Sequence, residues 1–121
     1  METDDVSDSF FDELQGEQLS VVTFVQDYFQ LWFDGPCINV TNPLTVRTSG
    51  AAVTSWQPGF RDLWCGQIAK IVASVEHRQG EALKVKFEDE SVISISLRKE
   101  DYDSPEAYYA HGFKKNAWMV E

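Results

Sequence analysis

The sequence predicts an α+β domain: a mainly antiparallel sheet of about six strands in two meanders, with two or three short helices. Three observations carry that prediction. Between Glu81 and Arg98, Leu83, Val85 and Phe87 alternate with charged residues, and Ile93, Ile95 and Leu97 alternate with serines. Such period-two alternation marks strands with one buried face. Strand-like runs follow one another before any helical stretch, and no βαβ alternation is present, which favours antiparallel pairing. With 121 residues, of which 43% are hydrophobic and 13% aromatic, the chain can build the core of one domain.

Residues 1–18 read as an acidic N-terminal arm, and residues 19–121 as the single domain. The first 20 residues hold seven acids and no base; the other 101 hold 13 acids and 10 bases. Phe10, Phe11 and Leu14 are spaced to line one side of a short helix ended by Gly16. Two fates are open to the arm: docking through Phe10 and Phe11, or flexibility. Because the strand pattern begins at Leu19, deletion of residues 1–17 is expected to leave the fold intact.

Leu19–Val25 is rich in β-branched residues and reads as a strand. Tyr28–Phe33 is the next, with Phe29, Leu31 and Phe33 on one face and Tyr28, Gln30 and Trp32 on the other. Gln26-Asp27 between them is a tight turn or a bulge. Asp34-Gly35-Pro36 is a turn, and Cys37–Thr41 a third strand with Ile38 and Val40 inward. Leu44–Val46 and Ala52–Thr54 fit brief strands in a less regular region. Pro58–Cys65 reads as a helix, with Pro58 in the first turn, Phe60, Leu63 and Trp64 on one side, and Gly66 at its end. Ile68–Glu76 reads as a strand, with Ile71, Ala73 and Val75 on alternate positions; a helix running on through Ile68, Ile71 and Val72 is the competing reading. His77-Arg78-Gln79-Gly80 is a turn into the Glu81–Arg98 hairpin. Asp103-Ser104-Pro105-Glu106 has the chemistry of a helix start, so residues 104–111 are expected to be helical. Lys114–Glu121 supplies a last short strand or a tail.

Formal net charge is -10. That charge repels phosphate backbones, so nucleic acid is excluded as a partner and a basic protein is permitted. The acidic N-terminus lacks the basic region of a signal peptide and no long apolar run is present, so the expectation is a cytoplasmic protein without membrane contact. Cys37 and Cys65 form no CxxC pattern and are expected to be buried thiols.

No nucleophile elbow, phosphate loop, metalloprotease helix or dinucleotide turn occurs. His77 and His111 are the only histidines. Asp103 or Glu106 could orient His111, but a helix-end histidine complementing the dipole explains it more simply. A zinc site of Cys37, Cys65, His77 and His111 follows no usual spacing, so no metal and no cofactor is expected. Asp27 and Arg61 suit a structural pair between helix and sheet. The candidate interaction surface is Tyr28, Trp32, Trp56, Arg61 and Asp27, because Tyr, Trp and Arg dominate protein interfaces, and Tyr108 and Tyr109 are further aromatics that could join such a binding face. With Tyr28 and Trp32 opposite an apolar face, Trp32 is expected against the Pro58–Cys65 helix or across a two-fold dimer axis.

Phe24–Tyr28 with Phe33–Pro36, then Pro58–Asp62, then Leu97–Asp101 with Ser104–Ala107, resemble a family of small bacterial domains of unknown function over about residues 19–111. The resemblance implies a compact domain and carries no activity. Some domains of this kind are immunity proteins of toxin systems, an association by class. The sequence thus favours a non-enzymatic protein-interaction module, of immunity or accessory type. The alternatives are a small-ligand-binding protein or enzyme with a site near Trp56 and Arg61, and a homodimeric structural domain.

Overall fold

The structure, a computed structural model, describes residues 10–26, 28–113 and 118–121. Within them the chain forms ten strands in two five-stranded sheets. The strands are β1 (Val21–Val25), β2 (Tyr28–Trp32), β3 (Cys37–Val40), β4 (Leu44–Thr48), β5 (Ala51–Thr54), β6 (Val72–Arg78), β7 (Ala82–Phe87), β8 (Val92–Ser96), β9 (Tyr108–His111) and β10 (Trp118–Val120). The first sheet has the order β1-β2-β3-β9-β10 and the second β5-β4-β8-β7-β6. Every strand pair is antiparallel. The helical part is α1 (Phe60–Cys65) and two 3-10 turns, Asp12–Leu14 and Lys99–Asp101.

Antiparallel pairing agrees with the sequence; the count and layout do not. About six strands in two meanders with two or three helices is replaced by ten strands in two sheets, with one regular helix among the described residues. Two causes account for the difference. The brief strands expected at Leu44–Val46 and Ala52–Thr54 are full members of the second sheet, Leu44–Thr48 pairing with both β8 and β5. The expected helix over 104–111 is instead β9: Tyr108 and Ala110 are buried, and Tyr109 and His111 are half-buried on the other face. Pairing to β3 and β10 overrides the helix-start chemistry of Ser104-Pro105-Glu106.

One core joins the inner faces. The first sheet contributes Phe29, Leu31, Ile38, Val40, Tyr108 and Ala110; the second contributes Leu44, Val46, Leu83, Val85, Ile93 and Ile95. The chain crosses from one sheet to the other at Asn42-Pro43, where buried Asn42 donates from Nδ2 to the Ser96 carbonyl (2.8 Å). β6 starts at Val72, later than expected, and a bulge between Val72 and Ser74 shifts the alternation. Val72 and His77 are therefore the buried residues of β6, rather than Ile71. α1 starts at Gly59 (φ +87°) and packs Phe60 and Trp64, one turn apart, onto Phe29 with ring centroids 5.5 and 5.6 Å away. The Phe10–Leu14 segment docks too: Phe10, Phe11 and Leu14 are fully buried, and Phe10 lies 4.4 Å from the Phe113 ring. Among the described residues no helix is long and apolar enough to cross a membrane.

Candidate functional site

The outer face of the first sheet follows from strand register. Val21, Trp32, Cys37 and His111 form one row across β1, β2, β3 and β9. Thr23, Gln30, Asn39 and Tyr109 form the next, and Val25 and Tyr28 a third. Side chains on one face of paired strands touch their cross-strand neighbours. In the first row Trp32 meets His111 edge-on at 6.3 Å. Cys37, between them in register, is fully buried, and burial pushes its thiol up to about 11.

The second row is a hydrogen-bonded ladder. Trp32 Nε1 donates to Gln30 Oε1 (3.4 Å), Thr23 Oγ1 donates to the same oxygen (2.9 Å), and Gln30 Nε2 donates to Asn39 Oδ1 (2.9 Å). An indole N–H can only donate, so it fixes which end of the Gln30 amide is oxygen. Asn39 must then accept through Oδ1, and its Nδ2 donor is left for the next position across the sheet. That position is Tyr109 in register. His111 stacks on Tyr109 at 5.1 Å.

Beyond this ladder the surface sinks into three adjoining depressions. The first, about 440 Å³, is lined by Tyr28, Asn39, Thr41, Glu106, Tyr109 and Val120. The second, about 140 Å³, shares Thr41 with it and adds Gln26, Phe29, Asn42, Trp56 and Asp103 among others. The third, about 340 Å³, shares Trp56 and runs along Gln57–Asp62 at the start of α1. Shared lining residues place the three side by side, from the outer face of the first sheet round to α1, and together they are termed the groove.

Trp56 stands where two of the depressions meet. It is 62% exposed, its φ is +72°, and its ring lies on Phe29 at 5.1 Å. A bulky residue in left-handed backbone costs on the order of 1–3 kcal/mol. Phe24, 39% exposed, packs against Phe29 at 5.7 Å. Aromatic surface is thus presented to solvent around a buried phenylalanine.

Of the residues singled out from sequence, Tyr28, Trp56 and Arg61 line this groove. Trp32 sits on the same sheet face, two residues along β2 from Gln30. Asp27 lies outside the described residues, so its pairing with Arg61 does too. Trp32 does not meet α1: the helix packs on Phe24 and Phe29, whose side of the sheet is the opposite one. Cys65 is exposed, contrary to the expectation of two buried thiols. His111 is in a strand rather than at a helix end.

Asn39 was not among the sequence candidates; Tyr109 stood among the aromatics of a possible binding face, and Glu106 only as a possible partner of His111. The alternation through Tyr108-Tyr109-Ala110-His111 was the available signal, hidden by the helix-start motif before it. His77 was read as a turn residue; it is buried in β6, with Nε2 2.5 Å from Glu121 Oε1. Tyr108 Oη donates to the same carboxylate oxygen (3.0 Å), and its pKa is raised by burial and then by Glu121. This triad ties β6 of the second sheet to the end of β10 in the first. Among the described residues no group of three or more His, Cys, Asp or Glu side chains is placed to hold a metal. Comparison with family models, curated proteins and solved structures finds no match, so the reading of this surface rests on its geometry.

Proposed function

We propose that the chain is a non-enzymatic protein-interaction module whose contact surface is the groove from Tyr109 past Tyr28 and Thr41 to Trp56. The observation that carries this reading is Trp56. A 62% exposed tryptophan, in unfavourable backbone, is held against Phe29 where two depressions join. Exposed aromatics beside a shallow groove are the usual anchors of protein interfaces, because they bury much area at low entropic cost. The partly ordered polar ladder beside it suits a rim, where side chains already hydrogen-bonded to each other lose little on contact.

The test is site-specific photo-crosslinking. A benzophenone amino acid replaces Trp56 in one protein and Lys84 in another. Lys84 lies on the outer face of the second sheet, opposite Ser94 in register. A discrete adduct from position 56 and none from position 84 is expected. Adducts of equal yield from both positions, or none from 56 in cells that make the protein, would overturn the reading. An adduct between two copies would turn it into a homodimer.

A further inference from the structure

Resting on that reading, we infer that the Tyr28–Tyr109–Glu106 depression receives a cationic side chain, an alkylammonium or guanidinium, from a basic protein partner. Four features of the site converge on this chemistry. Two tyrosines line an open depression of about 440 Å³, and aromatic faces attract cations through their quadrupole. Among the described residues of the lining Glu106 carries the acidic side chain, and none is Lys or Arg. Among the described residues Glu106 takes part in no ion pair, nor does Asp103 in the adjoining depression. Thr41 lines both depressions, so Glu106 and Asp103 belong to adjoining parts of one surface and both make its potential more negative.

The walls suit an arginine or lysine better than a free ion. Val120 and the tyrosine rings offer apolar surface to the methylene stem, while the charged tip needs only the carboxylate and a ring face. A neutral hydroxylated ligand would use Thr41 and the Asn39 amide equally well. It would gain nothing from Glu106 as an anion, nor from a chain whose net charge is -10. The overall charge speeds the approach of a basic surface, and the depression fixes where one of its side chains docks.

The experiment is a backbone-amide NMR titration of the full chain with N-acetyl-arginine methylamide and N-acetyl-lysine methylamide. N-acetyl-citrulline methylamide, the near-isosteric neutral compound, is the control. Saturable shifts centred on Tyr28, Asn39 and Tyr109 are expected with the two cations. Binding should weaken about five- to tenfold in Glu106→Gln, which alters an exposed side chain and leaves the fold alone. Tyr28→Leu should weaken it by a similar factor while conserving the apolar wall. Equal binding of citrulline would overturn the inference in favour of a neutral hydrogen-bonding pocket. Shifts scattered over the acidic surface, indifferent to Glu106→Gln, would also overturn it. Crosslinking from position 56 reads the groove independently. An adduct there without cation binding here therefore removes the inference and leaves the interaction reading standing.

Discussion

Ile95 and Lys84 sit on neighbouring strands of one hairpin, and the pleat gives them opposite surroundings. Ile95 is fully buried between Leu44 and Leu83 in register, whereas Lys84 points to the opposite face. Ile95→Ala should therefore cost about 2–5 kcal/mol in denaturant unfolding, and Lys84→Ala less than about 0.5 kcal/mol. An unchanged midpoint for Ile95→Ala would mean that the face assignment is wrong. The two cysteines also differ in their surroundings. Cys37 is buried and Cys65 exposed, so a disulfide reagent should modify Cys65 in the native protein and Cys37 only on unfolding. Cys37 also links stability to pH. Its folded pKa is raised from 9.0 to about 11, so above the lower value the unfolded thiol gives up its proton while the folded one keeps it. The unfolded state then binds fewer protons, and stability falls as pH rises through that window. Buried Tyr108, also raised, adds to the loss from its own ordinary value of 10.0 upwards. Urea midpoints across the window should decline in the wild type, and the earliest part of the decline should be missing in Cys37→Ala. A flat profile in the wild type would contradict the buried, protonated thiol.

Strand β9 shows what local sequence can and cannot specify. Residues 104–111 carry a good helix start, yet the segment is pinned as a strand by β3 on one side and β10 on the other. β3 lies far away in sequence and β10 lies beyond the segment, so no window containing Ser104-Pro105-Glu106 alone could reveal them. The Glu81–Arg98 hairpin is the opposite case. Its partner strands are adjacent, its alternation is complete, and β7 and β8 form with the predicted residues inward. The same split governs the candidate surface. Tyr28, Trp32 and Trp56 were legible as aromatics with no need to be core. Tyr109 was legible in the same way, but that it shares a surface with Asn39 and Glu106 became visible only once β9 was placed beside β3. The end of β9 also gives a sharp test of this topology. Gly112 has φ +81°, and a Cβ there would lie 2.3 Å from the Gly35 carbonyl oxygen, in the β2–β3 turn. Gly80 has a similar φ of +75° but nothing within 4 Å of such a Cβ. Gly80→Ala should cost about 1 kcal/mol for backbone strain alone. Gly112→Ala should cost roughly 2–4 kcal/mol, because a backbone oxygen must also move. Equal costs for the two would show that β9 does not end against the β2–β3 turn.

Across the whole molecule, two sheets share one core and are tied together at β6. At its start, Val72 accepts from Gly16 N (2.8 Å) and donates to Glu17 O (2.9 Å), and Leu19 N donates to Lys70 O (2.9 Å). Near its end, His77 meets Glu121. The segment before β1 is therefore part of the edge that joins the sheets. It also fills the core between them: Phe10, Phe11 and Leu14 are buried, with Phe11 edge-on to Tyr108 at 5.8 Å and Phe10 on Phe113. The strand pattern beginning at Leu19 gives no hint of this, because a short apolar trio in an acidic stretch has no periodic neighbours. The consequence can be measured by two truncations. Removing residues 1–9 takes away Glu2, Asp4, Asp5 and Asp8 and none of the described core, so the melt should stay cooperative and shift by less than about 1 kcal/mol. Removing residues 1–17 deletes both phenylalanines and Leu14, whose truncation costs about 2–5 kcal/mol each. Their sum, about 6–15 kcal/mol, is comparable with the whole stability of a typical domain, about 5–15 kcal/mol. The shorter chain should therefore lose its cooperative transition in calorimetry and expose apolar surface to a hydrophobic dye. A cooperative melt in the chain lacking residues 1–17 would show that the domain begins at the strands, with Phe10 and Phe11 resting on a core that is complete without them.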